Sequence, residues 1–308
     1  MNMKIDSILL GLDGTEESKH AAQLSWSLAK AMKCKVVAQT VVDTDALRQL
    51  LTLERPGFIG SSPYVNAYEA AHSALKSVAE LLLVSYESHV ASQGVDWACH
   101  IDEGNVAAEI ARRAIDHDLV VIGRRAHNRL LSAVDRNDSP RRGLVERLLY
   151  CCPRPILVVH DRCQLWKESK FVMTPSGFDA SSLRFYLKFA MLLGMQREIY
   201  CMAAENSVSD TVLKVRELIP KQEHLNVTGH QCSQLHSAWQ RALDVSAETL
   251  AVVPVTWDNN GTRLCYGTEA GAFARALNLP ATLYLPVSAA EPSEESSSTS
   301  KYYSAAKT

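Results

Sequence analysis

The hydrophobic pattern alternates between short apolar runs and longer segments with helical spacing. Ser7 to Leu12 is an apolar run that ends at Asp13-Gly14-Thr15, a helical period follows to Lys33, and Lys35 to Val42 is a second apolar run. The pattern then predicts a helix over 67–93, a strand over 95–101, a helix over 105–117, a strand over 119–122, a short helix over 144–150 and a strand over 155–159. Strands separated by helices favour a parallel sheet with helices on its faces.

The same order of elements recurs after a polar bridge at residues 160–170. The repeat contains strands over 171–173, 198–203, 225–230, 249–253 and 282–285, and helices over 182–193, 237–245 and 270–277. This second copy is shorter, mainly after its second strand. The sequence therefore predicts a tandem duplication, with domains at residues 1–161 and 168–288. Ser, Glu, Ala and Lys dominate residues 289–308 without an apolar period, which predicts a disordered tail.

Composition removes several classes of protein from consideration. The 308 residues are 47% hydrophobic and 21% charged, which is ordinary for a globular protein. The net charge of −2 argues against a chain built as a whole to bind nucleic acid. No apolar run approaches ~20 residues and the first residues lack a secretion signal, so we expect a cytoplasmic protein without a membrane span. The 8 cysteines follow no metal-ligand spacing and are expected to be reduced core residues.

Two segments carry a resemblance to a known family. Residues 7–32 (SILLGLDGTEESKHAAQLSWSLAKAM) and residues 101–127 (IDEGNVAAEIARRAIDHDLVVIGRRAH) closely resemble the universal stress protein domain. The resemblance covers residues 3–161 well and residues 168–288 weakly. It implies an α/β fold of two tandem, doubly wound, nucleotide-binding-like domains, each with a five-stranded parallel sheet of order 3-2-1-4-5. Ligands of such sheets bind where the strand order reverses, here between strands 1 and 4.

The resemblance also implies a phosphate-binding loop after the fourth strand. ATP-binding members carry Gly, two residues, Gly, nine residues and then Gly-Ser or Gly-Thr at the start of a helix, where backbone N–H groups attract anions. In the first copy Gly123 matches the first glycine, Ala126 replaces the second, and Arg142-Gly143 stands in place of Gly-Ser, with 15 residues between Ala126 and Arg142. A Cβ at position 126 and an arginine at position 142 would narrow the phosphate cradle.

Two other readings of this loop remain open. Residues 124–147 hold seven arginines against three acids, so guanidinium groups could hold phosphate by charge. Alternatively, the segment is a solvated basic loop without a ligand. The resemblance gives ATP as the candidate cofactor of the first copy. The candidate site residues are Asp13, Gly14, Val42, Gly123, Arg125, Ala126, Arg142, Gly143, Leu144 and Val145.

Asp13 has two interpretations that do not exclude each other. The resemblance places it beside the adenine or ribose of a nucleotide, whereas its position before Gly-Thr predicts a cap for the first helix. In the second copy, Pro254 and Trp257 occupy the first two glycine positions, and only Gly267-Thr268 remains. Because proline has no N–H to donate and an indole would fill the phosphate position, we expect no ATP there.

The catalytic signatures GxSxG, HExxH and the P-loop are absent from the sequence, so we expect no enzyme. The leading hypothesis is a cytoplasmic regulatory or scaffolding protein of the stress response that acts on an unidentified regulatory partner. The alternative is a switch that binds ATP or another phosphorylated ligand in the first copy. A weaker hypothesis gives the arginine segment an acidic protein or a nucleic acid as its partner.

The fifth strands predict how the two copies associate. A fifth strand at a sheet edge would expose unpaired backbone groups. Ile156–Val159 and Thr282–Leu285 can pair with each other, which predicts an intramolecular pseudo-dimer. The sequence is compatible with further association into a homodimer but does not require it.

Overall fold

The computed structural model describes residues 4–51, 62–124, 143–173, 180–203, 208–219, 225–231, 246–257, 263–264 and 279–286. The N-terminal half contains β1 (Ser7–Gly11), α1 (Glu16–Met32), β2 (Lys35–Asp43), α2 (Thr44–Leu50), α3 (Ser62–Val90) with a 3-10 turn (Ala91–Gln93), β3 (Trp97–Gly104), α4 (Val106–Ala114), β4 (Leu119–Gly123), α5 (Leu144–Cys151) and β5 (Ile156–Val159). The C-terminal half contains β6 (Glu168–Met173), α6 (Ala180–Leu192), β7 (Gln196–Ala203), α7 (Val208–Leu218), β8 (Asn226–Gln231), β9 (Thr249–Trp257), β10 (Arg263–Leu264) and β11 (Ala281–Pro286).

The described strands form one sheet in the order β3-β2-β1-β4-β5-β11-β9-β6-β7-β8, with β10 antiparallel to β9. The α/β class with a mostly parallel sheet is therefore confirmed. Within each half, the neighbours along this path are parallel. The two halves meet where Ile156–Val159 pairs antiparallel with Ala281–Tyr284. Because these edge strands pair with each other, the halves share one continuous sheet and do not form two separate sheets.

Helices cover both faces of the N-terminal half. On one face, α1 and α3 contribute Leu28 and Tyr86 to a cluster with Leu10. On the other face, α4 and α5 contribute Ile110 and Leu148 to a second cluster. The first cluster continues into the C-terminal half. The two halves are therefore held together by burial of apolar surface in addition to the hydrogen bonds between β5 and β11.

Several elements differ from the sequence prediction. The hydrophobic pattern does not predict α2, α7 or β10, and β9 continues beyond Val253 to Trp257. Pro254 is therefore a strand residue opposite Leu285, and Trp257 pairs with Arg263, so neither follows the end of the strand as predicted. The helices predicted over 237–245 and 270–277 and the predicted tail 289–308 lie outside the described residues.

Two further properties bear on the classes considered above. In the described part of the chain, no helix has both the length and the apolarity needed to cross a membrane. The six cysteines that the structure describes are all free. Over all of the described residues, no three or more His, Cys, Asp or Glu side chains are grouped in a way that could hold a metal ion.

Candidate functional site

A cavity of about 290 Å³ lies at the carboxyl ends of β1 and β2, between α3 on one side and α4 and α5 on the other. Four of the candidate residues line it: Asp13, Gly14, Val42 and Leu144. The position agrees with the physical rule for open α/β sheets, which places ligands outside the carboxyl ends of strands where the strand order reverses. The structure therefore brings these four residues to one concave surface.

The turn after β1 forms the rim of the cavity. Gly14 has φ of +76°, a left-handed conformation that favours glycine. Asp13 Oδ1 accepts hydrogen bonds from Thr15 N at 3.0 Å and from Thr15 Oγ1 at 2.6 Å. Thr15 is the N-cap of α1, because its Oγ1 accepts from Ser18 N at 3.2 Å. The prediction that Asp13 itself caps this helix is therefore wrong; Asp13 fixes the residue that does.

Gly123 is not among the residues that line the cavity. A Cβ at this position would lie 2.8 Å from both Glu17 C and Ser18 N, which are backbone atoms in the first turn of α1. The close approach of α1 to the end of β4 therefore requires glycine whether or not a phosphate binds. Gly143 is different: it is the N-cap of α5 with φ of −60°, and a Cβ there would meet no atom of the described residues within 4 Å.

Of the remaining candidate residues, the structure describes only Val145. Val145 is buried in the first turn of α5 and packs in the core cluster of that face, away from the cavity lining. Arg125, Ala126 and Arg142 lie outside the described residues. Whether they contact a phosphate group stays a prediction.

The long helix α3 supplies an apolar wall that the candidate list did not include. Leu75, Val78, Ala79 and Leu82 face the cavity from this helix. Their spacing of three and four residues is the sequence signal that could have found them, because such positions share one face of a helix. The wall makes most of the cavity surface apolar, as is usual for small-molecule sites.

Three polar side chains in the cavity were also missed: Gln39 and Thr40 on β2, and Arg147 on α5. Gln39 is 1% exposed and Thr40 is 6% exposed. Among the residues that the structure describes, the buried atoms Gln39 Oε1, Thr40 Oγ1 and Arg147 Nε have no hydrogen-bond partner. Buried polar atoms are normally paired with protein, water or a ligand, so these three mark the part of the cavity suited to a polar ligand.

A charged network behind Gln39 sets the direction of its amide. Gln39 Nε2 donates to Asp102 Oδ2 at 2.7 Å, and Arg113 donates to the same carboxylate through Nε and Nη2, both at 2.8 Å. Burial alone would raise the pKa of Asp102, but the hydrogen bonds from Arg113 and Gln39 and the arginine charges outweigh it and lower that pKa. Because ionised Asp102 accepts only, Gln39 presents Nε2 to it and turns Oε1 away.

Comparison with known proteins agrees with this architecture. The universal stress protein family profile matches residues 4–160. A universal stress protein from Archaeoglobus fulgidus has a similar structure, with a TM-score of 0.62 at 12% identity, covering 92% of this chain and 97% of that one. A functionally unknown protein from Pseudomonas aeruginosa gives a TM-score of 0.52 at 14% identity, covering 92% and 93%. No curated protein matches the sequence. Since the family profile spans half of the residues, the chain belongs to the universal stress protein family.

Proposed function

We propose that this protein is a non-enzymatic, ligand-responsive regulator of the stress response in the cytoplasm, and that its ligand occupies the cavity of the N-terminal half. The observation that carries the proposal is the cavity itself, because it joins an apolar wall to three buried polar atoms that have no partner in the described part of the chain. Its volume of about 290 Å³ lies just below the ~300–1,000 Å³ that is usual for small-molecule pockets. This size favours a compact ligand.

The chemistry of the lining supports binding without catalysis. Among the described residues, the cavity contains no histidine, cysteine or lysine. Asp13 is engaged by Thr15, and Asp43 caps α2 by accepting from Ala46 N at 2.8 Å. A nucleophile next to a general base is the usual requirement for covalent catalysis. Thr15 and Asp13 form a hydroxyl–carboxylate pair in the cavity, but Thr15 Oγ1 also accepts from Ser18 N, so this pair is engaged in capping α1.

The proposal includes altered nucleotide binding in both halves. Ala126 and Arg142 replace two of the residues with which ATP-binding relatives hold phosphates. In the C-terminal half, β9 continues through Pro254 and pairs with β10, where the resemblance places a phosphate loop. We therefore infer that neither half binds ATP in the manner of those relatives.

A scaffolding role without a ligand is the second candidate function. It is favoured by apolar side chains on α3 that face solvent outside the cavity: Leu81 is 69% exposed and Val84 is 60% exposed. Exposed apolar side chains grouped on one helix are typical of protein-binding surfaces. The occupied or empty state of the cavity separates the two candidates.

A thermal-shift screen of the full chain tests the proposal, with ATP, AMP and adenosine among the metabolites. We expect at least one compact metabolite to raise the melting temperature of the wild type, because binding to the native state alone stabilises it. Leu82→Phe, which fills the cavity next to Gly14, should abolish that shift. Val84→Phe is the matched control on the exposed side of the same helix and should retain it. No shift with any compound would favour the scaffold. An equal shift in Leu82→Phe would mean that the ligand binds outside this cavity, which would overturn the proposal.

A further inference from the structure

The floor of the cavity crosses three neighbouring strands. Gln39 on β2 is in register with Gly11 on β1, and a Cβ at Gly11 would lie 3.1 Å from Ile122 Cγ2 on β4. Because Gly11 has no side chain, Ile122 of β4 and Ile110 of α4 can approach its backbone closely and form an apolar floor there. Arg147 reaches the same cavity from α5. The cavity thus combines an amide, an apolar middle and a guanidinium.

Gln39 offers an acceptor that lacks a donor. Its Nε2 is committed to Asp102 at 2.7 Å, and the carboxylate of Asp102 is held in the ionised form by Arg113. The amide therefore does not gain by reversing, since Oε1 would then face a carboxylate oxygen. Oε1 is buried, has no partner and belongs to a residue that is 1% exposed. A ligand with an N–H or O–H group would satisfy it.

Arg147 offers the opposite chemistry. Its Nε is buried without a partner, and the part of the chain that the structure describes contains no ion pair or side-chain hydrogen bond to it. A guanidinium is rarely buried even in part without an acceptor, because it cannot lose its charge. The two acids of the lining, Asp13 and Asp43, are held by the backbone of the helices that follow them. An anionic ligand would complete this site.

We infer that Gln39 and Arg147 determine the specificity of the cavity, which takes a compact anion that also carries a hydrogen-bond donor. The donor meets Gln39 Oε1, the carboxylate or single phosphoryl group meets Arg147, and the body of the ligand lies on Gly11 and Ile122. This inference rests on the proposed ligand-responsive function. A neutral apolar ligand would leave both polar groups unsatisfied, and a cation would be repelled by Arg147.

Calorimetric titration of the full-length chain tests the inference with three probes. AMP has an amino donor and one phosphoryl group, adenosine lacks the phosphoryl group, and inosine monophosphate lacks the exocyclic amine. Arg147→Met should weaken AMP binding by about 10- to 100-fold and leave adenosine binding within about twofold, because only the charge-assisted bond is lost. Gln39→Leu should weaken AMP and adenosine alike and narrow the difference between AMP and inosine monophosphate. Arg154→Met, which lies near the amino ends of β1, β4 and β5 and away from the cavity, is the control and should leave the affinity for all three probes unchanged.

The outcomes separate this inference from the function on which it rests. If Arg147→Met weakens adenosine as strongly as AMP, Arg147 is only structural and the inference is overturned. Arg147→Lys should restore part of the AMP affinity in a chain whose urea midpoint matches the wild type, which controls for misfolding. If the wild type binds adenosine but not AMP, the specificity is wrong while the ligand-binding function stands. If it binds none of the probes and the metabolite screen finds no ligand, both fail.

Discussion

Replacement of Gly123 by alanine tests whether packing explains the glycine after β4. The added Cβ would lie 2.8 Å from Glu17 C, 2.8 Å from Ser18 N and 3.0 Å from Glu17 Cβ. Two of these atoms are backbone, so no flexible side chain can move out of the way. β4 lies between β1 and β5 inside the sheet, and its residues are fully buried. The helix, the strand or both must therefore shift.

The expected cost follows from the size of that shift. Insertion of one carbon into a well-packed region typically costs ~1–3 kcal/mol. Because the contacts at Gly123 are with backbone on a buried strand, we expect a loss of about 2 kcal/mol in the free energy of unfolding. The equilibrium constant for unfolding should rise by roughly 30-fold.

Urea unfolding of the ligand-free chain, followed by circular dichroism and tryptophan fluorescence, measures this loss. Gly143→Ser is the matched control, because a Cβ at Gly143 meets no atom within 4 Å in the described part of the chain and serine is a favoured N-cap. Its stability should equal or slightly exceed that of the wild type. If Gly123→Ala proves as stable as the wild type, the packing explanation is refuted. A loss of ligand affinity without loss of stability would instead assign Gly123 to phosphate binding.

Three further predictions concern buried polar groups. Asp102→Asn should lower the free energy of unfolding by about 1.5–3 kcal/mol, because it removes the charge that Arg113 binds through two hydrogen bonds of 2.8 Å. Since the pKa of Asp102 is lowered in the folded state, this loss should be complete above about pH 4 and should vanish as the pH falls through the folded pKa. Urea midpoints measured at several pH values would show this dependence. Burial, and then the charge of Arg124, lowers the pKa of His160 to about 4. Because its unfolded pKa is ~6.5, the unfolded chain takes up a proton at His160 before the folded chain does. The free energy of unfolding should therefore fall by up to ~1.4 kcal/mol for each unit by which the pH is lowered from about 6.5 to 4, and His160→Gln should show a smaller fall. Tyr186→Phe should lower the free energy of unfolding by about 1 kcal/mol in calorimetry, because the buried Tyr186 hydroxyl donates to the backbone carbonyls of Ser169 at 3.0 Å and Glu198 at 3.1 Å. An unchanged melting temperature would count against that role of the hydroxyl.

The periodicity of the sequence was sufficient for the N-terminal fold. Runs such as Ile156–Val159 are buried throughout, and their spacing between helices indicates a parallel sheet without tertiary information. The same run, placed at a sheet edge, also predicts that it needs a partner, and it pairs with Ala281–Tyr284. These features depend on local pattern and on general rules of sheet architecture.

Pro254 shows where the local signal misleads. Proline usually ends a central strand because it has no N–H for the ladder. In this chain the pairing of β9 with β6 ends at Val252, so Pro254 lies where β9 has lost that neighbour and pairs with Leu285 of β11. Whether β9 can continue through Pro254 depends on where its pairing with β6 ends, and the sequence around Pro254 does not give that position.

The polar part of the cavity could not be predicted for a related reason. Gln39 lies inside an apolar run and looks like any strand residue, and its partner Asp102 is 63 positions away. Arg147 belongs to a segment with seven arginines, among which the sequence does not distinguish the one that lines the cavity. Asp13 lies in the turn between β1 and α1, as the sequence predicts. The sequence does not show which of Asp13 and Thr15 caps α1, because both residue types can adopt the backbone angles of an N-cap and accept from the helix N–H groups.

Native mass spectrometry of the purified full-length chain tests the central claim most directly, because it requires no prior choice of ligand. The account predicts a species heavier than the polypeptide by one small acidic molecule, present in the wild type and in Val84→Phe but missing from Leu82→Phe. A wild-type mass equal to that of the polypeptide alone, or the same bound molecule in Leu82→Phe, would contradict it.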